Sequence, residues 1–178
     1  MTDLVPLDAK QSDRAVGVLL ASAAGDALGV PYEAGSTELD GEPKMLGGGL
    51  GGLEPGQWSD DTEMACAIAL VSSAGADLRT ESALDAVAAQ FRRWYADDPP
   101  DVGVQTRQIL SQRPSNASEM RRLAAELHRR TGRSAGNGSL MRTGPVGLLR
   151  VERHDVSHLR LLRPLRLPPP LGAPRGSP

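Results

Sequence analysis

The chain has 178 residues, enough for one domain with a sizeable core, and a formal net charge of −2 with pI near 5.9. That balance provides no global field for nucleic acid or an anionic membrane, and an aromatic content of 3% argues against base-stacking platforms. Its basic residues are 18 Arg against 2 Lys, which reads as a genomic base-composition bias. One cysteine, Cys66, excludes an internal disulfide, suits a reducing compartment and falls within a helical pattern where a packing role is expected. Met1 to Lys10 contains acids and a proline and lacks the basic start of a signal peptide. The longest run of apolar or small residues, Ala15 to Gly25, is closed by Asp26 and is too short to span a bilayer. The expectation is a cytoplasmic protein with no membrane partner.

After an N-terminal arm over residues 1–11, Ser12 to Leu28 predicts a helix with Ser12 as N-cap and Gly29 as its stop. Its many Ala, Gly and Ser residues predict a central helix that neighbours approach closely. Asp26 lies inside that run, where an unpaired charge is costly, and therefore calls for a hydrogen-bond, helix-end or cation partner. Glu33 follows and, taken alone, is a loop acid. Gly41 to Gly56 holds seven glycines, too many for a regular element, and predicts a flexible loop.

That loop leads into Gln57-Trp58-Ser59-Asp60-Asp61-Thr62-Glu63 and an apolar-periodic run. Ser59 has the chemistry of an N-cap, which places Asp60 and Asp61 in a first helical turn. Adjacent carboxylates repel unless a cation lies between them, and hard oxygen donors at a rigid helix start suit Mg²⁺. A capped, solvated helix start remains the plainer reading of this stretch alone.

Further on, Leu84, Val87, Ala88, Phe91, Trp94 and Tyr95 make an amphipathic stripe, with Thr80 as N-cap and Pro99-Pro100 as terminator. A short helix is expected over Val102 to Leu110. Another is expected over Ser118 to Thr131, with Asn116 and Glu119 spaced as a capping box and Gly132 at its end. Arg121, Arg122, Arg129 and Arg130 read as a solvated face. No stretch alternates as a strand does, so the fold class is all-α.

Ser134 to Arg142 is the next informative stretch. Gly136-Asn137-Gly138-Ser139 forms a backbone able to turn sharply and approach a ligand, with a helix start after it; Arg142 would add charge there or point outward. Three motifs now stand in order: Gly25-Asp26-Ala27-Leu28-Gly29 with Glu33, then Trp58-Ser59-Asp60-Asp61-Thr62, then Gly136-Asn137-Gly138-Ser139-Leu140-Met141-Arg142 with Pro145. Together they resemble the ADP-ribosylglycohydrolase family over roughly Ala15 to Leu149, about the first half of a family domain.

The resemblance implies an all-α multi-helix bundle holding two Mg²⁺ ions in an acidic cleft, and removal of ADP-ribose from a modified protein or a small conjugate. It implies Ser59, Asp60 and Asp61 as metal ligands, with Glu33 and Asp61 as catalytic residues. Gly136, Asn137, Gly138 and Ser139 would line the substrate's diphosphate and ribose, and Asp26 would support the site from beneath. The family's second metal motif, Asp-x-Asp-Thr/Ser, is absent from the sequence. Instead, residues 151–178 hold six of the 14 prolines and five arginines against two acids. A genuine basic, proline-rich tail is one reading. A reading-frame shift near His154 to His158 explains the composition change and the missing motif in one event, and is the favoured one. The expectation is a partial domain over 12–150 whose second Mg²⁺ site is incomplete and whose hydrolase activity is impaired. The alternative is a non-catalytic ADP-ribose or nucleotide binder.

Overall fold

The computed structural model describes residues 8–35, 37–134 and 136–151. Of the tail assigned to residues 151–178, only Val151 is described, as the last residue of a helix; residues 152–178 lie outside the described residues, as do Met1 to Leu7 of the arm. Among the described residues six α-helices follow one another: α1 Ala9–Gly29, α2 Asp60–Ser73, α3 Glu81–Ala96, α4 Val104–Leu110, α5 Ala117–Thr131 and α6 Thr143–Val151. Short 3₁₀ turns occupy Val30–Gly35 and Asn137–Ser139. Among the described residues there is no strand, only an isolated antiparallel bridge between Gly48 and Leu53. The chain is all-α, as its sequence pattern requires.

Helix α2 is the centre, with α3, α6 and α1 packed around it. Met64, Ala65, Ala67, Ile68, Ala69, Val71 and Ser72 are all buried along it. A helix apolar on most sides has little solvent face to offer, and Leu70 is its one exposed residue. The expected central helix, α1, is instead peripheral. Ala15 and Ala27 are its only buried residues, and Leu20 stands 66% exposed. Small side chains permit close approach on several faces, and among the described helices α2 and α6 are the main ones to use that permission. Together with the turn after it, α1 is long and apolar enough to cross a membrane by length and composition, more than the run Ala15 to Gly25 suggested.

Helix α1 also starts earlier than expected. Asp8, not Ser12, is the N-cap, and it forms a reciprocal capping box with Gln11, 2.7 Å one way and 2.9 Å the other. Ala9 to Gln11 thus belong to the helix rather than to an arm. The other termini follow their cap chemistry. Thr80 caps α3, which ends at Ala96, ahead of Pro99-Pro100. Asn116 accepts the Glu119 N–H at 2.9 Å, whereas the Glu119 carboxylate turns to Ser115 instead of closing the box. Gly132 ends α5 in the left-handed region at φ 63°. Along α5 the arginines are exposed, and Arg121 reaches Glu81 of α3 at 2.7 Å.

The glycine-rich segment is a folded connection, not a loose one. Gly48 and Leu53 exchange two backbone hydrogen bonds at 2.6 and 2.8 Å. The Tyr32 hydroxyl holds the segment to the turn after α1, accepting the Lys44 N–H at 2.9 Å. Gly47 has φ 71°, and a methyl group there would lie 2.5 Å from the Leu53 carbonyl oxygen and 2.6 Å from the Pro55 nitrogen. Both obstacles are backbone and neither can rotate away. Gly47→Ala is expected to destabilise the fold by about 2 kcal/mol or more, from the positive φ and the displaced backbone together. Urea unfolding measures it, and a midpoint equal to wild type would refute the reading.

Candidate functional site

The site is built where the end of α1 meets the start of α2. The Asp26 carboxylate takes the Ser59 N–H at 3.1 Å and the Ser59 hydroxyl at 2.7 Å. It also takes the Thr62 N–H at 2.9 Å and the Thr62 hydroxyl at 2.6 Å. Four donors thus converge on one carboxylate, which answers the partner that its place in an apolar helix demanded. In effect Asp26 caps α2 from a neighbouring helix. Ser59 caps locally as well, accepting the Asp61 N–H at 3.4 Å. With its own proton given to Asp26, one lone pair of the Ser59 oxygen stays available to a cation.

This anchoring presents Asp60 and Asp61 on the first turn of α2. Asp60 is buried at 9% exposure, and its Oδ2 accepts the Gly103 N–H at 3.0 Å. Burial pushes its pKa up; the Gly103 hydrogen bond opposes that rise and Asp101 adds to it. Asp61 is pushed up to about 6, first by burial and then by the charges of Asp26, Asp60 and Asp101. The Asn137 side-chain amide, 3.5 Å from Asp61 Oδ2, works in the opposite direction. Glu33 sits half-buried at the kink in the turn after α1, and its pKa is raised by burial and then by Asp101, Asp61, Asp26 and Asp60.

Five carboxylates therefore feel one another: Glu33, Asp26, Asp60, Asp61 and Asp101. The acid missing from the sequence reading is Asp101, in the loop before α4. Its signal was present in Asp101-Val102-Gly103 directly after Pro99-Pro100, where a glycine N–H is left to bond outward just before a helix. Glu63 lies one helical step deeper on α2. Its pKa is raised by burial, while the Trp94 indole N–H hydrogen-bonds its Oε2 and opposes that shift. Trp94 and Phe91 are thus half-buried members of the α2–α3 contact. Cys66, one turn further along, is half-buried with its thiol pKa raised by burial.

Asn137 to Ser139 form a 3₁₀ turn facing this cluster, and of the loop Gly136, Asn137, Gly138 and Ser139 only Asn137 reaches a carboxylate, Asp61. Arg142 goes neither to the loop's open side nor outward. It turns inward over the Phe91 ring at 5.1 Å, with Nη1 3.4 Å from the Met64 sulfur, and its charge acts on Asp60.

Crowded carboxylates with raised pKa values carry more negative charge than their surroundings relieve, and hard oxygen donors suit Mg²⁺. Among the described residues, no group of three acidic, His or Cys side chains converges as a closed metal cage. Asp60 and Asp61 are the residues that would hold a partly hydrated ion, since Mg²⁺ keeps several waters and often takes only one or two carboxylates. The pair does not by itself provide for a second ion.

Residues 7–161 match the family model described as ADP-ribosylglycohydrolase. The chain is 33% identical over 149 residues to the ADP-ribosyl-[dinitrogen reductase] glycohydrolase of Rhodospirillum rubrum, covering 76% of this chain and 44% of that protein. It is 34% identical over 154 residues to the ADP-ribosylarginine hydrolase Tri1 of Pseudomonas putida, covering 82% and 38%. A second Tri1, from Serratia proteamaculans, is 28% identical over 156 residues, covering 83% and 39%. The chain belongs to the ADP-ribosylglycohydrolase family. It spans about two fifths of the length of the curated relatives it matches.

Proposed function

We propose that this site binds the ADP-ribosyl group of a modified protein side chain and hydrolyses its glycosidic bond at the distal ribose, with Mg²⁺ at Asp60 and Asp61. The observation that supports it is the gathering of Glu33, Asp60, Asp61 and Asp101 around the start of α2, beside the Asn137 loop, in a member of this family. Breaking that bond develops positive charge on the sugar, which a cluster of carboxylates stabilises. Glu33, half-buried and with a raised pKa, takes the proton of the attacking water. Asp61 and Asn137 fix the ribose edge, while Gly136 to Ser139 lie along the diphosphate. Mg²⁺, when bound, supplies positive charge that orients sugar hydroxyls and polarises water. Two relatives are named for ADP-ribosylarginine, so a protein ADP-ribosylated on arginine is the substrate to test.

Turnover by the 178-residue chain is expected to be slow, because its donor set is an open one. The same observation favours a second reading, a non-catalytic ADP-ribose binder built on the Asn137 loop. Release of ADP-ribose is measured with and without Mg²⁺, in wild type and in the Asp60→Asn/Asp61→Asn variant. Slow Mg²⁺-dependent release that the variant loses at least 10-fold supports the hydrolase. Binding without release, persisting in the variant, favours the binder. An absence of both overturns the two readings together.

A further inference from the structure

Two polar side chains of α4 border the candidate site and take no part in the machinery described above. Gln105 and Thr106 are both half-buried, and among the described residues neither the carboxamide nor the hydroxyl makes a hydrogen bond. The Gln105 carboxamide lies beside Gly136. A methyl group on that glycine would stand 3.2 Å from Oε1, 3.4 Å from Cδ and 3.6 Å from Nε2. The Thr106 hydroxyl borders two backbones at once: a methyl on Gly138 or on Gly103 would be 3.8 Å from Thr106 Oγ1. The same point on Gly103 is 3.6 Å from Asp60 Oδ2, so this hydroxyl is placed between the acidic cluster and the glycine loop.

Resting on the ADP-ribosyl reading of the site, we infer that Gln105 and Thr106 are substrate-contacting residues, Thr106 at the distal ribose and Gln105 at the diphosphate. Electrostatics sets the orientation. Phosphates are repelled by Asp60, Asp61, Glu33 and Asp101, so the diphosphate lies on the far side of the loop, where Gly136 and Gln105 meet. There the carboxamide N–H groups donate to phosphate oxygens, and the missing side chain of Gly136 is what lets the carboxamide lie this close to the loop. A sugar tolerates carboxylates because its hydroxyls donate to them. Thr106, beside Asp60, adds a neutral hydroxyl that both donates and accepts.

Two ligands separate the two roles: ADP carries the diphosphate without the distal ribose, and ADP-ribose carries both. Titration calorimetry of the full chain at fixed Mg²⁺ is run on wild type, Thr106→Val and Gln105→Glu, with far-UV circular dichroism checking that each variant is folded. Thr106→Val keeps the shape and removes the hydroxyl, and is expected to weaken ADP-ribose about 10-fold while changing ADP less than about 2-fold. Gln105→Glu sets a negative charge against the phosphates and is expected to weaken both ligands about 10-fold or more. If wild type binds ADP-ribose and both variants bind as it does, the assignment of the pair is overturned while the reading of the site stands. Equal loss of ADP and ADP-ribose in Thr106→Val overturns its place at the ribose. A wild-type chain that binds neither ligand overturns the ADP-ribosyl reading and the inference with it.

Discussion

Asp26→Ala is expected to cost the fold about 3–5 kcal/mol, because it orphans four donors at the start of α2 in a single step. Two of those donors are backbone N–H groups of Ser59 and Thr62, and both residues are buried. Small domains hold only about 5–15 kcal/mol in total, so this one change takes a large share of it. Asp26→Asn keeps one acceptor oxygen but turns an amide N–H toward groups that are themselves donors, and about half the loss is expected. Urea unfolding of the three chains checks the order. A wild-type midpoint for Asp26→Ala would show that the carboxylate is not what holds α2 in place.

Asp61 should behave in the opposite way. Its pKa is raised to about 6 in the folded chain against an ordinary value of 3.8, so the folded state binds its proton more tightly than the unfolded one does. A group of this kind contributes stability below about pH 4 and loses that contribution as pH rises through about 6. Above that pH the ionised Asp61 is a burden on the metal-free fold. The shift alone would correspond to about 3 kcal/mol, and solvent screening of this half-exposed group reduces it to about 1 kcal/mol. Asp61→Asn is therefore expected to raise metal-free stability by about 1 kcal/mol at pH 7.5 and by almost nothing at pH 4. It should also abolish the Tm increase that Mg²⁺ gives wild type through binding to the native state. Thermal melts at both pH values, with and without Mg²⁺, test this. A variant less stable than wild type at pH 7.5 would sink it.

Helix termini were legible in the sequence wherever one side chain decides them. Ser59, Thr80, Asn116 and Gly132 all stand at the ends their chemistry specifies. The start of α1 was misplaced because Asp8 and Gln11 form a better reciprocal box than Ser12, a comparison available from the residues alone. Which helix lies at the centre was less accessible. The small residues of α1 and the apolar residues of α2 both permit burial, and only the placement of α3 and α6 decides between them. Asp26 was legible as a residue in need of a partner, but the partner was not, since Ser59 is 33 positions away. Asp101 and Arg142 illustrate the same limit. An acid after two prolines becomes part of a site only when Gly103 bonds Asp60, and an arginine turns inward only when Phe91 and Met64 offer it a surface.

The Asp26 junction also bears on the order in which the molecule assembles. Helices α2 and α3 are joined by residues 74–80 alone, so their contact closes a short segment at small entropic cost. Joining Asp26 to Ser59 closes a much longer one, and its reward arrives only when both helix ends are already formed. Helix pairing should come first and the acidic junction last, which places the candidate site among the final features to form and the first to open. Asp26→Ala would then accelerate unfolding while leaving the refolding rate nearly as it is in wild type.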